Sequence, residues 1–244
     1  MKKIAFYVEG LTEQLFINKL LIEIAGQKNI EIKLERFQGA GKNCCTEIYP
    51  KTTSQPSNPR HHALIFDCAG DGGVKSRMLE DYQRLFLQGY TEIVGLLDLY
   101  PRTDLQLFQS NLRNGVVRNG VKIALPLPIN TSIIIAVREV ESWFLAECKH
   151  FQFVDTILTN SFIVSRVGFD PCNDDMTTRD HPAEDLHAIY QLAGKSYLDG
   201  KNRKRKNKIE RTVECLDYSD IYLTLGRKIN ELDELICKID NFLV

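Results

Sequence analysis

The sequence predicts an α/β fold: a mostly parallel sheet flanked by helices, followed by a mainly helical region. Three observations carry this. Short apolar runs rich in strand formers, Lys3 to Val8, Ala63 to Phe66 and Glu92 to Leu97, alternate with segments of helical spacing. The third run is nearly all apolar, the pattern of a central parallel strand buried on both faces. Past about residue 150 the strand-like runs give way to helical stripes and polar loops.

The elements follow in order. Lys3 to Val8 stops at Glu9-Gly10, and Thr12 suits the N-cap of a helix from Glu13 to Ala25 with Leu15, Phe16, Leu20 and Ile24 on one face. Ile30 to Phe37 alternates apolar and charged residues, as a half-buried strand near a sheet edge does. Residues 39 to 60, with Gly, Asn, Ser and three prolines, read as a long loop. The strand at Ala63 to Phe66 closes on Asp67-Cys-Ala-Gly-Asp-Gly-Gly, and a helix is expected over Val74 to Leu87. Glu92 to Leu97 then delivers Asp98 at its carboxyl end. A helix is expected from Asp104 to Arg118, strands over Val121 to Ile129 and Thr131 to Val137, and a helix opening at Arg138. Pro126 and Pro128 confine the first of those strands to an edge or a short stretch. Helices are expected over Pro182 to Leu192, Arg203 to Leu216 and Arg227 to Phe242, the last with a stripe of Ile229, Leu232, Leu235, Ile236 and Ile239 fit for an interface such as a homodimer's. Two regions result, residues 1–150 and 151–244.

Composition narrows the class. The 244 residues are 43% hydrophobic and 26% charged, the balance of a globular protein with a core of useful size. Net charge is −1, so no global field draws the chain to nucleic acid or membrane. Seven cysteines, scattered and without a CxxC pair, argue against a disulfide framework or zinc ribbon, and reduced thiols in the cytoplasm are expected. The adjacent Cys44 and Cys45 are a redox candidate. Glu9 interrupts the first apolar run, so neither export nor a membrane span is expected.

Ligand sites of open α/β sheets lie at the carboxyl ends of the strands. Acids fall at or just beyond such ends: Glu9, Asp67, Asp98, and the pair Glu139 and Glu141. Carboxylates that converge repel one another unless a cation intervenes, and a hard ion, Mg2+ or Mn2+, is the usual partner. Phosphoryl transfer or phosphodiester hydrolysis follows naturally from such a site. Each acid also has a structural reading as turn residue or cap, and Glu139 and Glu141 suit the positive end of the helix that follows.

Residues 6–16, Phe-Tyr-Val-Glu-Gly-Leu-Thr-Glu-Gln-Leu-Phe, resemble the opening motif of TOPRIM domains, in which a strand ends in a glutamate followed by Gly and a helix. Asp98 falls where the family's second motif, Asp-x-Asp, would sit, and Asp67-Cys-Ala-Gly-Asp-Gly-Gly falls where many members carry a glycine-containing turn. Leu97-Asp-Leu-Tyr-Pro and Arg138-Glu-Val-Glu-Ser-Trp-Phe-Leu resemble small stand-alone TOPRIM proteins, related to the overcoming-lysogenization-defect nucleases and phage-defence effectors and often encoded beside an ABC/SMC-like ATPase. The resemblance covers about residues 1–150. It implies a TOPRIM-like (Rossmann-like) catalytic domain, with Glu9 as general acid/base or metal ligand, Asp98 as a magnesium ligand, and Glu139 and Glu141 completing the shell. One departure stands out: Tyr100 replaces the second acid of Asp-x-Asp, and a phenol is a poor magnesium ligand at neutral pH. Glu139, Glu141 or Asp104 would then supply the missing carboxylate, with Tyr100, Asp67 and Asp71 as auxiliary residues.

The one strong charge cluster is basic: Lys201, Arg203, Lys204, Arg205, Lys206 and Lys208, six cations in eight residues. It reads as a solvated helix start or as a phosphate-contacting patch for DNA or RNA, which Lys195 and Tyr197 would extend. The expected activity is metal-dependent cleavage of DNA or RNA in anti-phage defence, with Glu9, Asp98 and Glu141 holding the metal and an ATPase as partner. The rivals are a catalytically weak nucleic-acid-binding or assembly module and a primase-like nucleotidyl transferase. No P-loop GxxxxGK[ST] is present, which disfavours independent nucleotide hydrolysis.

Overall fold

A computed structural model describes residues 1–38, 47–48, 51–118, 121–198 and 203–244. The strands are β1 (Lys2–Val8), β2 (Ile30–Gln38), β3 (Glu47–Ile48), β4 (Lys51–Ser54), β5 (His61–Asp67), β6 (Glu92–Asp98), β7 (Val116–Arg118), β8 (Val121–Ala124) and β9 (Thr131–Ala136). Among the described residues seven of them form one sheet, in the order β3-β2-β5-β1-β6-β9 with β4 also on β2, while β7 and β8 make a separate hairpin. The chain is α/β and the sheet mostly parallel, as expected: β1 runs parallel to β5 and β6, and β2 parallel to β5.

Two compact units divide the chain: 1–97 with 102–135 and 238–244, and 98–101 with 136–237. The division departs from a cut at residue 150 because β6 and β9 each lead directly out of the sheet into the second unit.

In the first unit, Ile4 to Val8 and Ala63 to Phe66 are almost wholly buried, as β1 and β5 must be with strands on both sides. Alternation then sorts their side chains. Ala5, Tyr7, Leu64 and Phe66 pack with Val74, Met78 and Leu85 of α2 (Asp71–Leu87). The other face is covered by α1 (Leu11–Ala25), whose Phe16, Ile17, Leu20 and Leu21 are fully buried. Each such side chain contributes about 1.5–3 kcal/mol by leaving water. Gly95 allows α2 to approach the sheet, since a Cβ there would lie 2.9 Å from Met78 Sδ and 2.9 Å from Ile133 Cγ1. Inside this core Tyr7 donates to Asp81 Oδ2 at 2.8 Å, and Arg77 and Arg84 pair with the same carboxylate.

Several boundaries differ from expectation for local reasons. The cap of α1 is Gly10, not Thr12, because Glu13 Oε2 accepts the Gly10 N–H at 2.9 Å and lets the helix start earlier. The helix α2 starts at Asp71, behind Gly70 at φ 140°. The region expected to be loop contains β4, a polar Lys-Thr-Thr-Ser strand paired antiparallel with β2, so β2 lies inside the sheet rather than at its edge. Helix α3 (Leu105–Asn114) stops at Gly115, φ 75°, and the β-branched Val116 and Val117 enter the hairpin instead of continuing to Arg118.

Among the described residues the regular structure of the second unit is helical apart from the strand ends that enter it. It contains α4 (Glu141–Ala146), α5 (His150–Val154), α6 (Asn160–Val167), α7 (Pro182–Gln191), α8 (Arg203–Cys215), α9 (Tyr218–Asp220) and most of α10 (Asn230–Leu243). Trp143, Phe144, Phe151, Ile163, Leu186 and Ile189 fill its core. Fully buried Glu147 accepts the backbone N–H groups of Lys149, His150 and Asp217, while His150 Nε2 meets Tyr190 Oη at 3.1 Å. Two expectations are corrected here. Cys148 and Cys172 are joined in a disulfide rather than reduced, a pairing that sequence spacing did not reveal. The stripe of α10 is already buried within the chain, Leu232, Leu235 and Ile239 completely, which leaves it no dimer face to offer.

Candidate functional site

In the first unit the acids gather behind β1 and β5. Val8 pairs with Asp67 on one side and Leu96 on the other, so these strands end level with one another. Glu9 follows β1 and is partly exposed. Asp67 ends β5 and is fully buried, with Oδ1 accepting the Ala69 N–H at 2.9 Å. Arg36 Nε lies 2.9 Å from Asp67 Oδ2, near enough for an ion pair though not aligned as a hydrogen bond. Burial still raises the Asp67 carboxyl above its ordinary pKa, against the Ala69 amide and the Arg36 charge. Asp67 is thus held by the Ala69 amide and faces the Arg36 guanidinium.

Sequence reasoning missed Glu13. It is buried in the first turn of α1. Burial pushes its carboxyl up to about 7, and the charges of Glu9 and Asp67 act in the same direction against the Gly10 and Glu13 backbone amides. A carboxyl poised near neutrality can give or take a proton at physiological pH. The signal that could have found it was present in residues 9–13, Glu-Gly-x-Thr-Glu: two glutamates four apart across a helix start.

In the second unit the candidates are engaged one by one. Asp98 Oδ1 accepts the Val140 N–H at 3.0 Å, which fixes the turn leading to α4. Glu139 Oε2 accepts the Ala183 N–H at 2.9 Å and caps the start of α7. Glu141, 8% exposed, accepts the Tyr197 hydroxyl at 2.6 Å. Tyr100 is 44% exposed; its N–H donates to the Arg138 carbonyl and its ring meets His181 edge-on at 5.8 Å. Arg138 carries φ 66°, a left-handed conformation uncommon away from glycine, and pairs with Asp180 at 2.9 Å. Of the remaining candidates, Asp104 is the N-cap of α3, accepting the Leu107 N–H at 2.8 Å, and Asp71 is the first residue of α2.

The basic run divides. Lys201 lies outside the described residues, while Arg203, Lys204, Arg205, Lys206 and Lys208 belong to α8. Lys195 and Tyr197 do not extend it. Lys195 pairs with Asp155 at 2.6 Å, and Tyr197 is 3% exposed. His187 accepts two backbone N–H groups, those of Tyr197 and Leu198.

Carboxylate oxygens are the right donors for Mg2+ or Mn2+. Among the described residues no group of three or more His, Cys, Asp or Glu is gathered closely enough to hold a metal alone. Magnesium is nonetheless commonly held by one or two carboxylates, with water and substrate phosphate completing its shell. Among the described residues no helix is long and apolar enough to cross a membrane. No protein-family model matches the chain, and no curated protein matches it.

Proposed function

We propose that this chain is a TOPRIM-like, metal-dependent nuclease that hydrolyses phosphodiester bonds of DNA or RNA, acting in anti-phage defence with an ATPase partner. One observation carries the reading: acids stand at or just past the carboxyl ends of three neighbouring parallel strands, Glu9 after β1, Asp67 at the end of β5 and Asp98 at the end of β6. The connection from β1 leads to β2 on one side of it in the sheet, while β6 and β9 lie on the other, so the direction of the chain reverses between β1 and β6, the kind of switch point where such folds bind ligands. By the TOPRIM resemblance Glu9, Asp98, Glu139 and Glu141 are the carboxylates assigned to Mg2+ or Mn2+. Such an ion supplies polarisation of the scissile phosphate and a water of lowered pKa. The chain's own part is to hold Asp98 on the Val140 amide and Glu141 on the Tyr197 phenol, and to keep a proton on Glu13 near neutrality. The cations of α8 are assigned to substrate phosphates, positioning nucleic acid without reading sequence.

The test is cleavage of supercoiled plasmid, single-stranded DNA and total tRNA with Mg2+ or Mn2+, alone and with an ATPase partner. Metal-dependent cutting that Glu9→Ala and Asp98→Ala each abolish supports the reading. Metal-independent cutting, or none in any lane, refutes it. The second reading, a catalytically weak nucleic-acid-binding module, is favoured by Tyr100 in place of an acid and by the pairing of Asp67 with Arg36. It predicts oligonucleotide binding without cleavage.

A further inference from the structure

We propose that Tyr100 and His181 form a stacking platform for an unpaired nucleobase, with Arg138 beside them to meet the adjoining phosphate; this rests on the reading above only in taking nucleic acid as the ligand. Three stretches of the second unit are stitched together here. Residues 98–100 are joined to 136–140 by the Leu99 N–H on the Ala136 carbonyl at 2.9 Å, the Tyr100 N–H on the Arg138 carbonyl at 3.0 Å and the Val140 N–H on Asp98 Oδ1 at 3.0 Å. Residues 138–139 are joined in turn to the start of α7: Arg138 pairs with Asp180 at 2.9 Å, and Glu139 accepts the Ala183 N–H at 2.9 Å. The stitching sets the Tyr100 and His181 rings edge to face, 5.8 Å between centroids with their planes at 77°. Both residues are exposed.

A tyrosine placed for packing would turn inward, as its neighbour Leu99 does at 5% exposure, whereas Tyr100 leaves 44% of its surface in water. Every base has a π-face, so exposed aromatic rings held rigidly beside a strand-end acid suit a strand whose bases are unpaired; in a duplex those faces are already stacked. Arg138 supplies the charge that such a strand requires. It is held at φ 66°, a conformation that non-glycine residues keep mainly where a ligand is clamped or chemistry occurs. The Asp180 side chain that it pairs with is 75% exposed, so the pair is weak and a phosphate can take the guanidinium in its place. Asp180 is then the negative charge that the phosphate displaces, and its removal favours binding.

The test is binding of the full chain to a fluorescein-labelled single strand and to the matching duplex, read by fluorescence anisotropy in EDTA so that cleavage does not enter. Wild type, Tyr100→Ala, Tyr100→Phe, Asp180→Asn and Arg138→Ala are compared, with circular dichroism as the check on folding. Tyr100→Ala is expected to weaken single-strand binding about 5–150-fold, the range of one lost stack, and to leave duplex binding as in wild type. Tyr100→Phe is expected to keep the single-strand affinity. Asp180→Asn is expected to tighten binding, and Arg138→Ala to flatten the slope of log K against log salt by about 0.7. Unchanged affinity in Tyr100→Ala, an equal loss on the duplex, an equal loss in Tyr100→Phe, or weaker binding in Asp180→Asn overturns the proposal. If Tyr100→Ala does not fold, His181→Ala removes the other ring, and an affinity equal to wild type then overturns it. A wild-type chain that binds neither strand nor duplex removes the nucleic-acid reading and this inference together. Single-strand binding that Tyr100→Ala leaves intact removes this inference alone, and the expected binding without any cleavage removes the nuclease reading alone.

Discussion

Replacing Glu13 by glutamine should make the protein more stable at pH 8 while leaving it nearly unchanged at pH 4.5. The carboxyl has a pKa of about 7 in the folded chain against 4.5 as its ordinary value, with burial the first cause and the charges of Glu9 and Asp67 adding to it. Between those values the folded state binds the proton that the unfolded state has lost, so stability falls as pH rises. The contribution is fully present below about pH 4.5 and is gone once the pH has passed 7. At 1.36 kcal/mol per pKa unit the loss has a ceiling of about 3 kcal/mol. Glutamine keeps the side-chain oxygen that accepts the Gly10 N–H and cannot ionise, so the pH-dependent loss disappears. Urea denaturation of both proteins in EDTA at pH 4.5, 6, 7 and 8 measures it, and a change of midpoint at constant slope is the signature of altered stability. Parallel pH profiles, or a variant less stable than wild type at pH 8, would refute the assignment of a buried, strained charge at Glu13.

Other substitutions probe other parts of the fold. Gly95→Ala places a methyl 2.9 Å from both Met78 Sδ and Ile133 Cγ1; it should cost roughly 1–3 kcal/mol, read as a fall in Tm of several degrees. Cys148 and Cys172 are 24 residues apart, so their bond should contribute about 3 kcal/mol; reductant should lower the urea midpoint of wild type and leave Cys172→Ser unmoved. Glu139→Ala should lose about 1 kcal/mol of stability through the uncapped Ala183 N–H, and Glu139→Gln should keep most of it, both read by thermal melts. Tyr7→Phe should cost about 1 kcal/mol through the lost bond to buried Asp81.

The parts of the fold that depend on local pattern were legible in the sequence. Apolar runs marked β1, β5 and β6, and the acids behind them were visible as strand-end residues because chain order alone puts them there. What depended on register was not. The ion pair of Arg36 with Asp67 exists because β2 and β5 set those residues opposite one another across 31 positions of chain. Glu13 looked like an ordinary first-turn acid, since its burial is imposed by the fold around it rather than by its neighbours in sequence. Of the hairpin, β8 lies in the expected strand from Val121, while β7 is hidden by helical spacing that runs on to Arg118, although Gly115 marks the stop. In the second unit Tyr197 was grouped with the lysines beside it, and only the contact with Glu141, 56 residues away, gives it another place.

The central position of β1 has a consequence for the chain during its synthesis. Both strands that flank it come later, β5 at His61–Asp67 and β6 at Glu92–Asp98. About 90 residues must therefore be made after β1 before its second edge can be covered. At about 5–20 residues per second this interval is roughly 5–20 s. Throughout it, the apolar run Ile4 to Val8 has an open edge able to pair with another nascent chain. Slower translation between residues 9 and 98 lengthens that exposure, and the yield of folded protein is expected to fall with it.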